Sequence, residues 1–443
     1  MREQWGSRTG FILATIGAAV GLGNIWRFAY IAGENGGAVF LFVYLVFVLL
    51  IGLPLVIAEL AIGRRGQGDA VAAFEADARG SMWRYGGWIA VAGTVLILSY
   101  YSVIAGWALK YFVGAATGGL WQSAAVEFGA YFDEFISGTG EPVFWQSIML
   151  VAAAVVVAAG IRGGIERINL WLMPFLALIV ILLAAFALTL PGSGRGVSFL
   201  FAPDWSALTR PSVYLNALGQ AFFSLGVGMA IFVTYGSYLS SETRIPAAAG
   251  TVALGDTVFA MVAGLAIFPA VFALGGDPAA GPRLAFITFP QVLLQMPGGS
   301  FVGTVFFLLL AAAALTSMIS LLEVPVAVAT DRLGLSRPRA VVIITATIFV
   351  LGIPSALSYG ILSDWKPAGQ PILDAIDHAV SNFVLPICGL LIALYVGWRL
   401  APAAAREAAD LAHSAVGTMW LWLLRIGVPA TIVVILLRSL ALV

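Results

Sequence analysis

Charge is scarce in this chain. Asp, Glu, Lys and Arg make up only 10% of its 443 residues, and 61% are apolar. A soluble domain carries about a quarter charged residues, so the composition describes a polytopic membrane protein. Acidic and basic residues number 22 each, and this balance gives no pull toward nucleic acid. Lysine is nearly missing, with Lys110 and Lys366 against 20 arginines. The single Cys388 excludes an internal disulfide and a cysteine-rich metal site. His378 and His413 stand far apart, and neither H-E-x-x-H nor C-x-x-C occurs. No G-x-x-x-x-G-K-[ST] loop is present, so the chain brings no Walker A site of its own for ATP. No signal-peptide cleavage pattern follows "MREQWGSRTG", and the first apolar segment is expected to stay in place.

Long apolar runs are what remains. A span of the hydrocarbon core takes roughly 20 residues. Eleven runs qualify: 9–29, 39–62, 87–113, 142–160, 165–190, 213–240, 247–274, 299–330, 338–356, 371–397 and 415–440. The stretch from Arg283 to Met296 is too short to cross and reads as a loop helix on the outer face. With the N-terminus in the cytoplasm, most arginines fall inside, among them Arg64, Arg65, Arg162, Arg167, Arg332, Arg337, Arg339 and Arg399. Outside are Arg195, Arg210, Arg283, Lys366 and Arg438. The positive-inside rule thus orients the chain, and an odd number of spans leaves the C-terminus outside.

Two spans are spoiled by glycine. Span 1 contains "GAAVGLGN" and span 6 contains "SLGVGMA". They lie five spans apart, the pattern of an inverted repeat with a broken first helix in each half. The expected fold is an all-α polytopic membrane protein with a five-plus-five inverted-repeat transporter core. Residues 1–190 form the first repeat, 213–397 the second, and 415–440 an extra span. Irregular backbone at membrane depth is tolerated only beside protein or a cavity. Half-helix N-termini favour an anion and freed carbonyls favour a small cation. Together they suit a zwitterion with Na⁺. Close helix packing through small residues is the plainer explanation of any one glycine pair.

The segment "REQWGSRTGFILATIGAAVGLGNIWRF" (2–28) resembles the first helix of the neurotransmitter:sodium symporter family. "GLPLVIAELAIGR" (52–64), "GIERIN" (164–169), "GQAFFSLGVGM" (219–229), "AGLAIFPAVFA" (263–273) and "AALTSMISLLE" (313–323) follow in the family's order. The resemblance covers spans 1 to 10. It implies a sodium-coupled symporter, resembling bacterial amino-acid transporters, that works by alternating access.

The resemblance also implies a site. One sodium position would take the carbonyls of Gly17, Val20 and Ala313 with the hydroxyls of Thr316 and Ser317. Either hydroxyl could instead bond within its own helix. The other position would take the Ala19 carbonyl, the Asn24 amide oxygen, the Ser224 hydroxyl and Asp256, with Tyr44 and Gln220 nearby. The family more often has Asn where Asp256 stands, and chloride-dependent members bind Cl⁻ beside it. A hydroxyl position of that chloride site is Ala260 here. A fixed carboxylate would replace the anion, so two Na⁺ and no Cl⁻ are expected.

Monoamine carriers place an Asp where this chain has Gly21, so an amino acid fits better than an amine. Tyr101 matches the tyrosine that meets the substrate carboxylate, although any buried tyrosine needs a partner. Ile97, Phe223, Gly226, Met229, Ser317 and Leu321 would surround the side chain, with Ala19 and Gly23 at the edge. None is charged, which points to a neutral, hydrophobic or aromatic amino acid. Arg27 with Asp377 resembles the outer gate. Arg2 with Asp331, packed by Trp5, Ser237 and Tyr238, resembles the inner one. Glu59 is expected to accept N–H groups of the unwound helices, and Glu323 to serve structure. Ala29 and Ala18 depart from the family pattern without removing a ligand.

Other classes fit less well. A membrane sensor that binds an amino acid without turnover would not need gates on both sides, and a channel would not tolerate them. An enzyme reading finds no nucleophile–histidine pair or metal cluster. The expected partners are the amino acid and the lipid bilayer. The expected place is the cell inner (plasma) membrane.

Overall fold

The computed structural model describes residues 3–76, 81–123, 127–279, 281–295, 298–412 and 414–441. Among these there is no β-strand. Among the described residues, nine unbroken helices are long and apolar enough to cross a membrane. In chain order they are span 2 (Ala38–Gly66), span 3 (Arg84–Ala116), span 4 (Glu141–Ala158), span 5 (Ile161–Leu188) and span 7 (Ile245–Ala273). Span 8 (Gly299–Leu333), span 9 (Arg337–Ala356), span 10 (Ile372–Arg399) and span 11 (Ala415–Arg438) follow. Proline opens several of them at a first-turn position, where its missing N–H costs nothing; Pro142, Pro246 and Pro338 are examples.

Spans 1 and 6 come in halves. Span 1 runs as Arg8–Ala19 and Gly23–Glu34, bent by 49°. Val20 ends the first half in an extended conformation (φ −73°, ψ 111°). Span 6 runs as Pro211–Leu225 and Ile231–Gly236. Between its halves Gly226 (φ 76°), Gly228 (φ 82°) and Ala230 (φ 55°) adopt left-handed backbone. Glycine takes that conformation freely, and an alanine there costs about 1–2 kcal/mol.

Burial separates core from periphery. In the apolar windows of spans 3 and 8, 78% of residues are buried, against 33% in spans 4 and 9 and 28% in span 11. All these helices pass as membrane-spanning by length and hydropathy alone, whatever share of them is buried. Composition therefore marks a helix as membrane-spanning without telling which ones line the centre. The loop helix expected at 283–296 is present as Leu284–Thr288 and Phe289–Leu294, with Met296 outside the described residues. Its buried face, including Phe286 and Phe289, packs on the protein.

Candidate substrate and ion site

The two breaks face each other and span 8 runs beside them. The Thr316 hydroxyl lies 3.2 Å from the Val20 carbonyl oxygen and 2.8 Å from that of Ala313. Ser317 Oγ lies 3.4 Å from the carbonyl oxygens of both Ala18 and Val20. Gly17 is buried in the last turn before the break. This is a set of hard oxygens, the donors that suit Na⁺ and not a soft metal.

A second cluster surrounds Asp256. Ser224 donates to its carboxylate at 2.9 Å, Tyr44 at 3.2 Å, and Asn24 Nδ2 at 2.7 Å. Ser224, Asp256, Asn24 and Tyr44 are each fully buried. The sequence expectation placed the Asn24 oxygen toward this cluster. Here that oxygen accepts from the Gly21 N–H at 3.0 Å and the nitrogen faces Asp256. An amide beside a carboxylate turns its donor to it; the opposite orientation puts oxygen against oxygen and needs a cation between them. Ala260 is fully buried and brings no hydroxyl.

Between the clusters lies a cavity lined by Ala18, Ala19, Gly21, Gly23, Ile97, Tyr101, Phe223, Gly226, Met229, Ile231, Ser317 and Leu321. Except for Ser224, which joins the Asp256 cluster, every expected pocket residue is on its wall. Ala18 and Ile231 were missed, because what they face depends on how the two broken helices turn. The cavity holds only about 20 Å³ for the centres of water-sized spheres, room for a water. A ligand larger than a water fits only if the wall moves, and Met229, with three rotatable bonds, is the side chain best able to give. The Leu22 N–H in the first break donates to Tyr101 Oη at 3.1 Å. A side chain on Gly21 would place its Cβ 2.2 Å from Ser317 Oγ and 2.8 Å from Tyr101 Oη.

Phe223 roofs the cavity, with its ring centroid 6.5 Å from that of Tyr101 and the Arg27 guanidinium 4.9 Å above it. The expected Arg27–Asp377 ion pair is not formed. Arg27 donates to Gln220 Oε1 at 2.8 Å, and Gln220 in turn donates to the Gly23 carbonyl at 2.7 Å. Asp377 accepts from Tyr100 at 2.9 Å. Gln220 and Tyr100 thus take the places the two charges would give each other.

On the other side, Trp5 donates from Nε1 to the Tyr235 carbonyl at 3.1 Å and packs edge-on to Tyr235 and Tyr238. Arg2, the expected partner of Asp331, lies outside the described residues. Ser237 donates to the Thr234 carbonyl of its own helix. Glu59 accepts from the Gly228 N–H in the span 6 break at 2.7 Å; among the described residues no such bond joins it to the span 1 break. Glu323 has the structural part expected of it. It is fully buried, accepts from Tyr238 at 2.7 Å and pairs with Arg337. That arginine lies fourteen positions away on the next span, a pairing without a sequence signature.

Broken helices whose carbonyls and hydroxyls close on a cavity between them are the arrangement of a secondary transporter. The sodium:neurotransmitter symporter family matches over residues 2–131 and 130–443, and the chain belongs to this family of sodium-dependent transporters. The uncharacterised sodium-dependent transporter YhdH of Bacillus subtilis (strain 168) is 40% identical over 440 residues, covering 98% of this chain and 97% of that protein. An uncharacterised sodium-dependent transporter of Haemophilus influenzae is 32% identical, covering 99% of this chain and 98% of that protein. The crystal structure of MhsT in complex with L-phenylalanine superposes with a TM-score of 0.94 at 49% identity, covering 99% of each chain.

Proposed function

We propose that the protein is a symporter that couples two Na⁺ to the import of a neutral, hydrophobic or aromatic amino acid, independently of chloride. The observation that carries this reading is the uncharged cavity between the two breaks, flanked by an oxygen cluster at Thr316 and a carboxylate cluster at Asp256. The L-phenylalanine in the solved structure of MhsT supports the substrate class.

The residues would divide the work. Tyr101 and the N–H groups around Gly21 hold the substrate carboxylate. Gly226, Met229, Ile231 and Leu321 receive the side chain. Val20, Ala313, Thr316 and Ser317, with Gly17, hold one ion; Asn24, Ser224 and Asp256, with the Ala19 carbonyl, hold the other. An intramembrane carboxylate is costly unless paired with a cation, so Asp256 supplies the charge that chloride would otherwise bring. Two charges crossing ~100 mV release about 4.6 kcal/mol, roughly a thousandfold accumulation. The five-plus-five repeat over 1–190 and 213–397, the plasma-membrane location and the cytoplasmic N-terminus belong to the same proposal.

The test is equilibrium binding of radiolabelled phenylalanine and leucine to the purified protein in Na⁺ or K⁺, each with and without Cl⁻. Saturable binding that needs Na⁺, ignores Cl⁻ and is untouched by excess glutamate or lysine is expected. Binding equally strong in K⁺ would remove the ion assignment. Binding that needs Cl⁻ would remove the role given to Asp256.

A further inference from the structure

A groove far larger than the substrate cavity lies on the outside of the bundle. It holds about 570 Å³ by the same measure. One wall is the last turns of span 11: Ala430, Thr431, Val434, Ile435 and Arg438. The facing wall is Thr209 just before span 6 and Pro211, Tyr214 and Leu215 at its start, with Phe47 of span 2 completing the lining. Val434 is 57% and Tyr214 37% exposed, so the groove opens sideways, toward the bilayer.

The chemistry of the groove is graded. Its two threonines are satisfied locally: Thr431 donates to the Gly427 carbonyl at 2.9 Å and Thr209 to that of Ser206 at 2.8 Å. They present little more than methyl groups. Polar capacity is left at the end where span 11 finishes and span 6 begins. Among the described residues, neither the Arg438 guanidinium nor the Tyr214 hydroxyl has an ion-pair or hydrogen-bond partner there. Arg210, the neighbouring cation, turns instead toward Gly36. From Ala430 to Arg438 the wall rises about 12 Å at 1.5 Å per residue.

In a bilayer this groove borders hydrocarbon, and a concavity of this size is not left bare. An apolar slot with one unpaired cation and one free hydroxyl at its rim has the shape and polarity of a single lipid. The cation at the rim selects the headgroup: a phosphate without a compensating amine is the better partner for a lone arginine.

We propose that the groove binds one anionic phospholipid, with an acyl chain between span 11 and the first half of span 6 and its phosphate on Arg438 and Tyr214. The lipid bridges a peripheral helix to the half-helix that carries Phe223 and Ser224.

The test uses the full chain purified in detergent and native mass spectrometry, with phosphatidylglycerol or phosphatidylcholine of the same chains at equal concentration. One phosphatidylglycerol should be retained about fivefold more than phosphatidylcholine, the ratio expected for about 1 kcal/mol from one basic residue at the interface. Arg438→Gln should erase that preference. Val434→Trp, which fills the slot from an exposed position, should reduce retention of both lipids. Sodium-dependent phenylalanine binding reports that each variant is folded, and it is a separate readout from lipid retention. A preference that survives Arg438→Gln, or retention indifferent to Val434→Trp, would overturn the proposal. So would a protein dimer that is lost on Val434→Trp, because a second copy would then fill the groove.

Discussion

The unusual residues here are small ones at places where any side chain would collide. Gly21→Ala would drive a methyl into Ser317 Oγ and Tyr101 Oη, at 2.2 and 2.8 Å. Overpacking of this kind costs roughly 1–3 kcal/mol, so substrate should bind about fivefold to hundredfold more weakly. Adding Ser317→Ala to Gly21→Ala should recover part of the phenylalanine binding while weakening Na⁺ dependence. A double variant no better than the single would deny the clash. Asp256 tests charge instead of volume. Its carboxylate is held by Ser224, Tyr44 and Asn24. Asp256→Asn keeps the shape and removes the charge opposite the proposed ion. Truncating one partner of a buried charge pair costs about 2–5 kcal/mol, so apparent Na⁺ affinity should fall on the order of thirtyfold or more. Uptake should also begin to respond to Cl⁻, measured against gluconate. A variant that stays blind to Cl⁻ would detach Asp256 from anion dependence.

At the scale of elements, the break in span 6 has unequal glycines. Both Gly226 and Gly228 sit at positive φ. A Cβ on Gly226 would have the Ile231 side chain as its nearest neighbour at 3.7 Å, while one on Gly228 would stand 2.8 Å from the Leu385 carbonyl oxygen. Gly226→Ala should therefore cost only the backbone term, about 1–2 kcal/mol, and Gly228→Ala distinctly more. Loss of monodisperse protein on a heating series in detergent orders the two; the reverse order would mean the break relaxes away from Leu385. These breaks were legible in the sequence because glycine clusters are the local cause of the conformation. Span limits were legible for the same reason, since hydropathy is local. The identity of the cavity wall at Ile97, Phe223, Met229 and Leu321 was carried by family resemblance. Three features were not legible: the partner of Arg27, the orientation of the Asn24 amide and the Glu323–Arg337 pair. Each depends on which of several polar groups lies nearest after packing, and no spacing along the chain encodes that.

At the scale of the whole molecule, the two sides of the cavity are closed by different means. On one side Phe223 lies under Arg27, which donates to Gln220, while Asp377 accepts from Tyr100. The other side is stapled by the N-terminal segment. Trp5 packs on Tyr235 and Tyr238, Gly6 N–H and Ser7 Oγ donate to Glu166 at 2.7 and 2.8 Å, and Arg162 donates to the Gln4 carbonyl at 2.8 Å. Trp5→Ala removes a half-buried ring and its bond to the Tyr235 carbonyl. A loss of about 2 kcal/mol from the closed side, near the value for burying a large apolar side chain, shifts the balance toward opening there roughly thirtyfold. If ions and substrate bind as proposed, where the first break meets span 8, their apparent affinity should drop by the fraction of molecules that remain closed. Hydrogen–deuterium exchange separates this from general loosening. In Trp5→Ala, peptides from Arg8–Ala19 and Ile231–Gly236 should exchange faster, and those from Gly23–Glu34 and Pro211–Leu225 should not. Saturating Na⁺ with phenylalanine should restore protection, because ligands pull the population back to the state that binds them. If all four half-helices loosened together, Trp5 would be a packing residue of the bundle, and the N-terminal segment would be no gate.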